Sequence, residues 1–305
     1  MDGSFRQSAQ AVKVQSFPIH PSLSWPDNRP TDSQAFIILR AGSQLTAYKS
    51  AFALDKNRAS FMLVDGTHDI RWLLERDEGS ELLYKFRSAR NESHRDCLAR
   101  GKIWIGAAMA LNDPFDSKPK EFLNRATAEE ANAYREAVRQ LRVLCFSGPF
   151  TGGPDDLLRW SHYGDGHQGY CLMIRDAAIL AKTRPVTYHE TYPDLAEHTP
   201  TTPGFWETVG FFKASCWKYE DERRALFPNG SELEYTIPAR AIWGVVFGCW
   251  SLRDQRFEVA RLALANNPEC YFFDAEIVRS SFSLNYRNTT VVYRQEGLKV
   301  EKGQA

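Results

Sequence analysis

The sequence lacks the features that mark a membrane or secreted protein. Its longest nearly unbroken apolar run, residues 241–250, is half the length of a membrane span and is interrupted by glycines. The first residues have no apolar core of the kind found in a signal peptide. The six cysteines are spread singly with no CxxC pair, which suits free thiols in a reducing compartment better than a disulfide framework. We therefore expect a cytoplasmic protein with no membrane partner.

Charge excess and familiar cofactor motifs are also missing. The 38 basic and 38 acidic residues give a formal net charge of zero, which argues against a mainly electrostatic grip on nucleic acid or an anionic surface. No GxGxxG segment follows a predicted strand, and no HExxH motif is present. The sequence thus gives no sign of a Rossmann dinucleotide site or of a zinc protease.

What the sequence does contain is typical of a globular protein with a large core. Hydrophobic residues make up 43%, charged residues 25% and aromatic residues 13%. Short apolar runs and helical patterns mix without strict alternation, so the predicted class is α+β, with mixed, largely antiparallel sheets and flanking helices. The predicted organisation is an irregular arm at 1–35, a small N-terminal extension at 36–80, a main domain at 81–297 and a disordered tail at 298–305.

Three helices of the main domain illustrate the local signals. Thr127 and Glu130 have the spacing of a capping box at the start of one helix. Residues 253–266 predict a second helix, between two strands. Residues 203–217, which begin at a proline and are rich in aromatics, predict a third.

The segment WSHYGDGHQG, residues 160–169, precedes an apolar run that is typical of a core strand. Its two histidines are five residues apart, which does not place them on one face of a helix. Three interpretations remain open: a metal site, a turn built on glycines, or a loop at the rim of a pocket. In the last, favoured interpretation the loop presents four ring-bearing side chains to a small polar ligand: Trp160, His162, Tyr163 and His167.

The segment NDPFD, residues 112–116, places acidic side chains around a proline turn. Such a turn is commonly stabilised by its own Asx hydrogen bonds. A divalent ion is the alternative interpretation, and it leads to a metal-dependent hydrolase or nuclease that would use Asp113, Asp116, His162 and His167.

Two glutamates separated by a single residue lie in the most highly charged segment of the chain. On an extended segment Glu220 and Glu222 point to the same side, where their repulsion raises one pKa unless arginines neutralise them. Arg223 and Arg224 follow directly. The alternatives are a reactive carboxylate pair and a solvated edge of ion pairs. We expect Glu222 to be a solvated carboxylate whose replacement leaves stability nearly unchanged, and unfolding of Glu222→Gln would indicate a structural ion pair instead.

Six short motifs in order resemble a bacterial family, the domain of unknown function numbered 2971, over about residues 82–250. They are LYKFR at 83–87, NDPFD at 112–116, CFS at 145–147, WSHYGDGHQGYCL at 160–172, FFKASCWKYEDERR at 211–224 and VVFG at 245–248. Because the activity of that family is not settled, this resemblance implies a fold neighbourhood more than a function.

A second resemblance is to ADP-ribosyltransferases of the arginine–serine–glutamate type. Arg87, Ser147 and the pair Glu220 and Glu222 follow in the order of that family's motifs, although a single serine stands where the family has a Ser-Thr-Ser run. The resemblance implies NAD as the cofactor, with Glu222 on the ribose, Glu220 orienting the acceptor and Ser147 as a further catalytic residue.

The same resemblance implies where NAD would bind. An arginine fork suits a pyrophosphate and an aromatic ring can stack on nicotinamide. The expected cofactor-binding residues are Arg87, Tyr84, Trp160, His162, Tyr163 and His167, and no metal is expected. The function expected is an NAD-consuming effector, toxin-like or part of phage defence, whose acceptor is a protein or nucleic acid. A non-catalytic sensor of a small ligand is the alternative of a different class.

Overall fold

The computed structural model describes residues 36–39, 59–75, 81–118, 126–192, 204–228, 230–238 and 240–295. The irregular arm predicted at 1–35 and the disordered tail predicted at 298–305 lie outside these residues. In the described residues, no helix is both long enough and apolar enough to cross a membrane.

The α-helices of the described residues are numbered in chain order. They are α1 (Ile70–Glu75), α2 (Glu92–Arg100), α3 (Ala128–Gln140), α4 (Pro154–Tyr163), α5 (Ala177–Lys182), α6 (Phe205–Val209) and α7 (Arg253–Asn266), with 3₁₀ helices at Ala108–Ala110 and Ser215–Glu220.

The strands are numbered in the same way. They are β1 (Phe36–Leu39), β2 (Ala59–Asp69), β3 (Leu83–Arg87), β4 (Lys102–Trp104), β5 (Gly106–Ala107), β6 (Arg142–Phe146), β7 (Tyr170–Ile174), β8 (Arg184–Pro185), β9 (Thr187–His189), β10 (Phe212–Ala214), β11 (Arg223–Phe227), β12 (Glu234–Thr236), β13 (Ile242–Phe247), β14 (Tyr271–Ile277) and β15 (Leu284–Gln295).

A seven-stranded sheet forms the centre of the fold. Its order is β1-β15-β14-β13-β7-β3, and β2 pairs with β15 outside this path. The pair of β13 and β14 is parallel and is connected through α7, whereas the other pairs of this sheet are antiparallel. The predicted class, α+β with mixed and largely antiparallel sheets, is therefore confirmed. The strands β1 and β2 come from the segment predicted as an N-terminal extension.

A second sheet has the order β5-β6-β11-β8, and it lies next to β3, the last strand of the large sheet. The two sheets meet at a single antiparallel bridge between Tyr84 on β3 and Ser147, in which the Ser147 amide donates to the Tyr84 carbonyl at 2.8 Å. Because Ser147 directly follows β6, this bridge aligns the edge of the large sheet with the edge of the small one.

Each face of the large sheet has its own core. Because side chains alternate along a strand, Leu172 faces a core that includes residues of α2 and α7, whereas Cys171 and Met173 face the core that contains Trp160 of α4. The small sheet packs one face, including Phe146, against the first of these cores. Its other face carries Val143 and Leu226, which pack in a small apolar cluster, and Arg224, and the candidate site lies on this face.

Local sequence signals correctly predicted two helices and gave a wrong end for a third. Thr127 and Glu130 form the predicted capping box at the start of α3, and α7 has the predicted bounds. The helix predicted over residues 203–217 is wrong beyond Val209. The chain turns at Gly210, enters β10 and pairs in parallel with β9, so strand pairing prevails over the local helical pattern.

Candidate functional site

Lys213 lies at the centre of a buried group of charges on the outer face of the small sheet. Its ammonium nitrogen is 2.5 Å from Glu220 Oε2 and 3.1 Å from Glu222 Oε2. The ring of Trp217 covers the same nitrogen at 4.9 Å from the ring centroid. Lys213 therefore joins the two glutamates, and its positive charge offsets their repulsion.

Arg224 on β11 holds the other side of this group. Its guanidinium donates to both carboxylate oxygens of Asp116, at 2.7 and 2.5 Å, and to both of Glu222, at 2.8 Å each. It also donates to the Gly210 carbonyl at 3.1 Å. Such bidentate pairs fix the orientation of both carboxylates. The prediction that Glu222 is solvated is wrong, because only 5% of Glu222 and none of Arg224 is exposed.

The sequence suggested an extended backbone between the two glutamates, but the structure does not have one. Glu220 ends a 3₁₀ helix, and Asp221 has a left-handed conformation with φ of 45°. The two carboxylates still meet, but they do so at Lys213 and not through strand alternation. Gly148 is required here, because a Cβ atom on it would lie 2.0 Å from the Asp221 carboxylate.

Tyr163 connects the buried Glu220 with the surface. Its hydroxyl donates to Glu220 Oε1 at 2.5 Å and accepts from the side-chain amide of the exposed Asn112 at 3.1 Å. The neighbouring His162 is exposed, and its Nδ1 is 2.6 Å from the Tyr219 hydroxyl. The predicted pair His162 and Tyr163 thus lies beside Glu220, on the last turn of α4 and not in a loop.

Burial and the neighbouring charges shift the pKa values of the two glutamates in opposite directions. Burial, together with the negative charge of Glu222, raises the pKa of Glu220 to about 7, although Lys213 and Tyr163 act in the opposite direction. Burial also opposes ionisation of Glu222, but Arg224 and Lys213 more than offset it and hold the pKa of that carboxyl well below its usual range. One glutamate is therefore a fixed anion, and the other exchanges its proton near neutral pH.

Arg87 and Ser147, the other residues of the arginine–serine–glutamate order, do not join this group, and the buried Arg87 interacts with Cys97 of α2 instead. In the described part of the chain no hydrogen bond or ion pair joins Arg87 to Glu222. Lys85, on the same side of β3, interacts electrostatically with both of them, and its burial lowers its pKa to about 8. Ser147 follows Cys145 by two positions, so both face the side of the small sheet that carries Arg224.

Two of the predicted cofactor-binding residues belong to the core. Trp160 is completely buried, stacks on Phe150 at 6.1 Å and donates from its ring nitrogen to the Tyr286 hydroxyl. Tyr84 is 3% exposed and also contacts Phe150, edge to face. The prediction that Trp160 lies at the rim of a pocket is therefore wrong, since the last helical turns direct its ring inward.

His167 lies apart from this site. It has a left-handed backbone with φ of 66°, and its ring contacts Trp250 at 5.2 Å and Cys249 Sγ at 3.8 Å. Burial lowers its pKa. The loop that carries it, residues 164–169, follows α4 and is the only part of WSHYGDGHQG that is a turn within the described residues.

The four side chains of the proposed metal-dependent hydrolase have separate partners. Asp116 is held by Arg224, Asp113 caps the amide of Phe115 at 2.8 Å, and the two histidines contact different aromatic side chains. Within the described ranges, no three His, Cys, Asp or Glu side chains are arranged to hold a metal ion.

Sequence reasoning missed the residues that organise the site. Lys213 falls in a segment predicted as helix, and Tyr188, whose hydroxyl accepts from the Glu222 amide at 2.9 Å, is distant in sequence. The sequence contains no local signal that selects Lys213, because Lys218 stands closer to the two glutamates along the chain.

The sequence matches no protein-family model, and no curated protein or solved structure matches it either.

Proposed function

We propose that this chain is an NAD-consuming enzyme resembling ADP-ribosyltransferases, with Glu220 as its acid–base group. The observation that carries the proposal is the hydrogen bond from the Tyr163 hydroxyl to a glutamate whose pKa is raised to about 7. A general base is most effective when its pKa lies near the working pH. The kinship with the bacterial domain numbered 2971 is part of the same proposal.

The chemistry needs a proton acceptor and a fixed negative charge. Cleavage of NAD breaks the bond between the ribose C1′ and the nicotinamide nitrogen, and the bonding electrons leave with nicotinamide. The nucleophile, a water molecule or an acceptor group, forms the new bond to C1′ and loses a proton. Tyr163 passes that proton to Glu220, while the buried group that contains Glu222, with one net negative charge when Glu220 is ionised, stabilises the positive charge that develops on the ribose.

The rings around Tyr163 supply the binding surface in this proposal. His162, Trp217 and Tyr219 contact one another at centroid distances of 5.7 to 6.1 Å and are exposed or half-buried. Planar heteroaromatic rings stack well on such side chains. In this proposal nicotinamide stacks against these rings. Arg87, whose side chain lies on the same face of β3 as Lys85, binds the phosphates of the ligand.

The decisive experiment measures nicotinamide release from NAD by the purified chain. We expect Glu220→Gln and Tyr163→Phe each to lower the rate about 10²-fold or more, which is the usual contribution of a positioned acid–base group. Glu207→Gln, which alters an exposed glutamate on the neighbouring α6, is the matched control and should leave the rate unchanged.

Two results would redirect the proposal. Binding of NAD without release of nicotinamide would favour the sensor alternative. Release that is insensitive to Glu220→Gln would remove this glutamate from the mechanism. If the acceptor is an essential protein or nucleic acid of the bacterial cytoplasm, overproduction of the chain slows growth and Glu220→Gln relieves the effect.

A further inference from the structure

A small cleft opens beside the buried charges, and Lys213 and Asp116 of that group line it. Its volume is about 190 Å³, well below the roughly 300–1,000 Å³ of pockets that hold drug-sized ligands. It therefore has room for one side chain or a small molecule. The lining residues that matter here are Asp113, Phe115, Asp116, Tyr192, Phe212 and Lys213.

One carboxylate oxygen in this cleft has no partner. Asp113 is only 2% exposed, and its Oδ1 accepts from the Phe115 amide at 2.8 Å. Among the described residues no donor reaches its Oδ2. Lys118 touches the same turn, but its ammonium donates to the carbonyl oxygens of Leu111 and Asp113, at 3.0 and 3.2 Å. A buried, unpaired carboxylate oxygen is costly, so a bound donor would relieve a real penalty.

The charges around the cleft favour a cation. Three acidic side chains line it, Asp113, Asp116 and the exposed Glu190, against one lysine, Lys213, and one exposed histidine, His189. Lys213 and Asp116 are already paired within the buried group. Of the two buried lining acids, Asp113 is therefore the one without an ion pair, although the Lys118 ammonium on its carbonyl oxygen offsets part of its charge. Glu190 adds negative potential at the rim.

Aromatic rings complete the environment that a cation prefers. Tyr192 lies 5.0 Å from Phe212 and 6.4 Å from Phe115, measured between ring centroids. Phe115 is 48% exposed, so one of these rings is within reach of solvent. A desolvated cation beside such rings gains from their quadrupoles.

We propose that the cleft binds a primary alkylammonium group, which donates to Asp113 Oδ2 between the aromatic walls. An ammonium is a compact point charge and matches one free oxygen. A guanidinium prefers a fork to both oxygens of a carboxylate, and Oδ1 is already occupied by the Phe115 amide. The group is carried by a free small amine or by a lysine side chain of another protein, and the two share this chemistry.

The test is a binding titration of the full chain by calorimetry and saturation-transfer NMR. Cadaverine represents the free amine, and Nα-acetyl-lysine N-methylamide represents the lysine side chain. We expect at least one to bind, and Asp113→Asn, which keeps the oxygen that caps Phe115, to weaken binding about tenfold or more. The tighter of the two probes identifies the source of the group.

Three controls make the outcome decisive. Asp155→Asn, which alters an exposed carboxylate on α4 that does not line the cleft, should bind as the unaltered chain does. Phe115→Ala should weaken binding severalfold even if Asp113→Asn does not fold, because the exposed ring can be removed without disturbing the core. Binding should persist in Glu220→Gln, so this result is independent of the proposed enzyme activity.

The proposal is overturned by absence of binding of both amines at millimolar concentration. It is also overturned if Asp113→Asn folds and binds as well as the unaltered chain, or if Nα-acetyl-arginine N-methylamide binds as tightly as its lysine counterpart.

Discussion

At the scale of single residues, five charged side chains are concentrated in one buried group. Asp116, Glu220 and Glu222 share two cations, Lys213 and Arg224, so the group is neutral when Glu220 is protonated and carries one net negative charge when it is ionised, and all five side chains are buried. Buried ion pairs of this kind are not necessarily stabilising in total, but the loss of one member leaves an unpaired buried charge. The arrangement is therefore sensitive to any change in its balance.

Glu222→Gln should destabilise the fold, contrary to what the sequence suggested. The substitution leaves Arg224 and Lys213 with one carboxylate fewer, and breaking a buried pair in this way costs about 3–5 kcal/mol. Urea unfolding followed by circular dichroism gives the free energy of unfolding. The exposed Glu207→Gln should change it by less than about 0.5 kcal/mol. An equally small effect for Glu222→Gln would mean that Glu222 is not part of a structural ion pair.

Glu220 should make the stability depend on pH in a defined window. Its pKa rises from 4.5 to about 7 on folding, so between these values the folded chain retains a proton that the unfolded chain has released. Protonation therefore favours the fold, and the contribution of this group to the free energy of unfolding falls as pH increases from 4.5 to 7. The stability of Glu220→Gln relative to the unaltered chain should consequently be greater at pH 8 than at pH 5.

The carboxyl resonance of Glu220 in a ¹³C NMR titration checks the same point directly. A midpoint near 7 is expected. Tyr163→Phe should move it to higher pH, because the hydroxyl hydrogen bond stabilises the ionised form. A midpoint near 4.5 in the unaltered chain would show that the carboxyl is solvated.

The sequence predicted part of this site for a physical reason. Glu220, Glu222, His162 and Tyr163 stand in compact motifs, and local spacing is visible in one dimension. The positions of Lys213 and Arg224 depend on the pairing of β10 with β9 and of β11 with β6, which brings distant segments together. No local pattern encodes those contacts.

At the scale of elements, the turn from α4 into β7 sets the edge of the large sheet. Residues 165–167 all have positive φ, and Gly169 then passes directly against β3. The predicted glycine turn is therefore present, but its role is to let two backbones approach. A sequence pattern shows the glycines and not what lies next to them.

Two glycine substitutions distinguish the need for a positive φ from the need for close approach of two backbones. A Cβ on Gly169 would lie 2.1 Å from the Arg87 carbonyl oxygen, whereas one on Gly166 would meet nothing within 4 Å. Gly166→Ala carries only the left-handed backbone penalty of about 1–2 kcal/mol. Gly169→Ala must displace β3 and should lower the free energy of unfolding by clearly more. Equal losses in urea titrations would argue against the close approach of residue 169 to β3.

At the scale of the whole molecule, the α+β class followed from the mixture of strand and helix signals, but the division into two sheets did not. The sheets are joined by the backbone bridge at Ser147 and by the hydrogen bond from Lys85 to the Cys145 carbonyl, and β15 takes partners from both ends of the chain. Strand order is set by contacts between residues far apart in sequence, and neither hydrophobic periodicity nor turn signals report on them. The same long-range pairing makes the N-terminal strands part of the large sheet.

Removal of residues 1–75 should therefore affect the central sheet. It deletes β1 and β2, which pair with β15, and it removes Ile70, which is 1% exposed and belongs to the core around Trp160. An unpaired edge of this length favours association with other chains. We expect the shortened chain to have a lower melting temperature and to form larger species in size-exclusion chromatography. Removal of residues 1–35 alone retains all described strands and serves as the control, with both properties unchanged. If the two truncations behave alike, β2 does not contribute to the stability of the sheet.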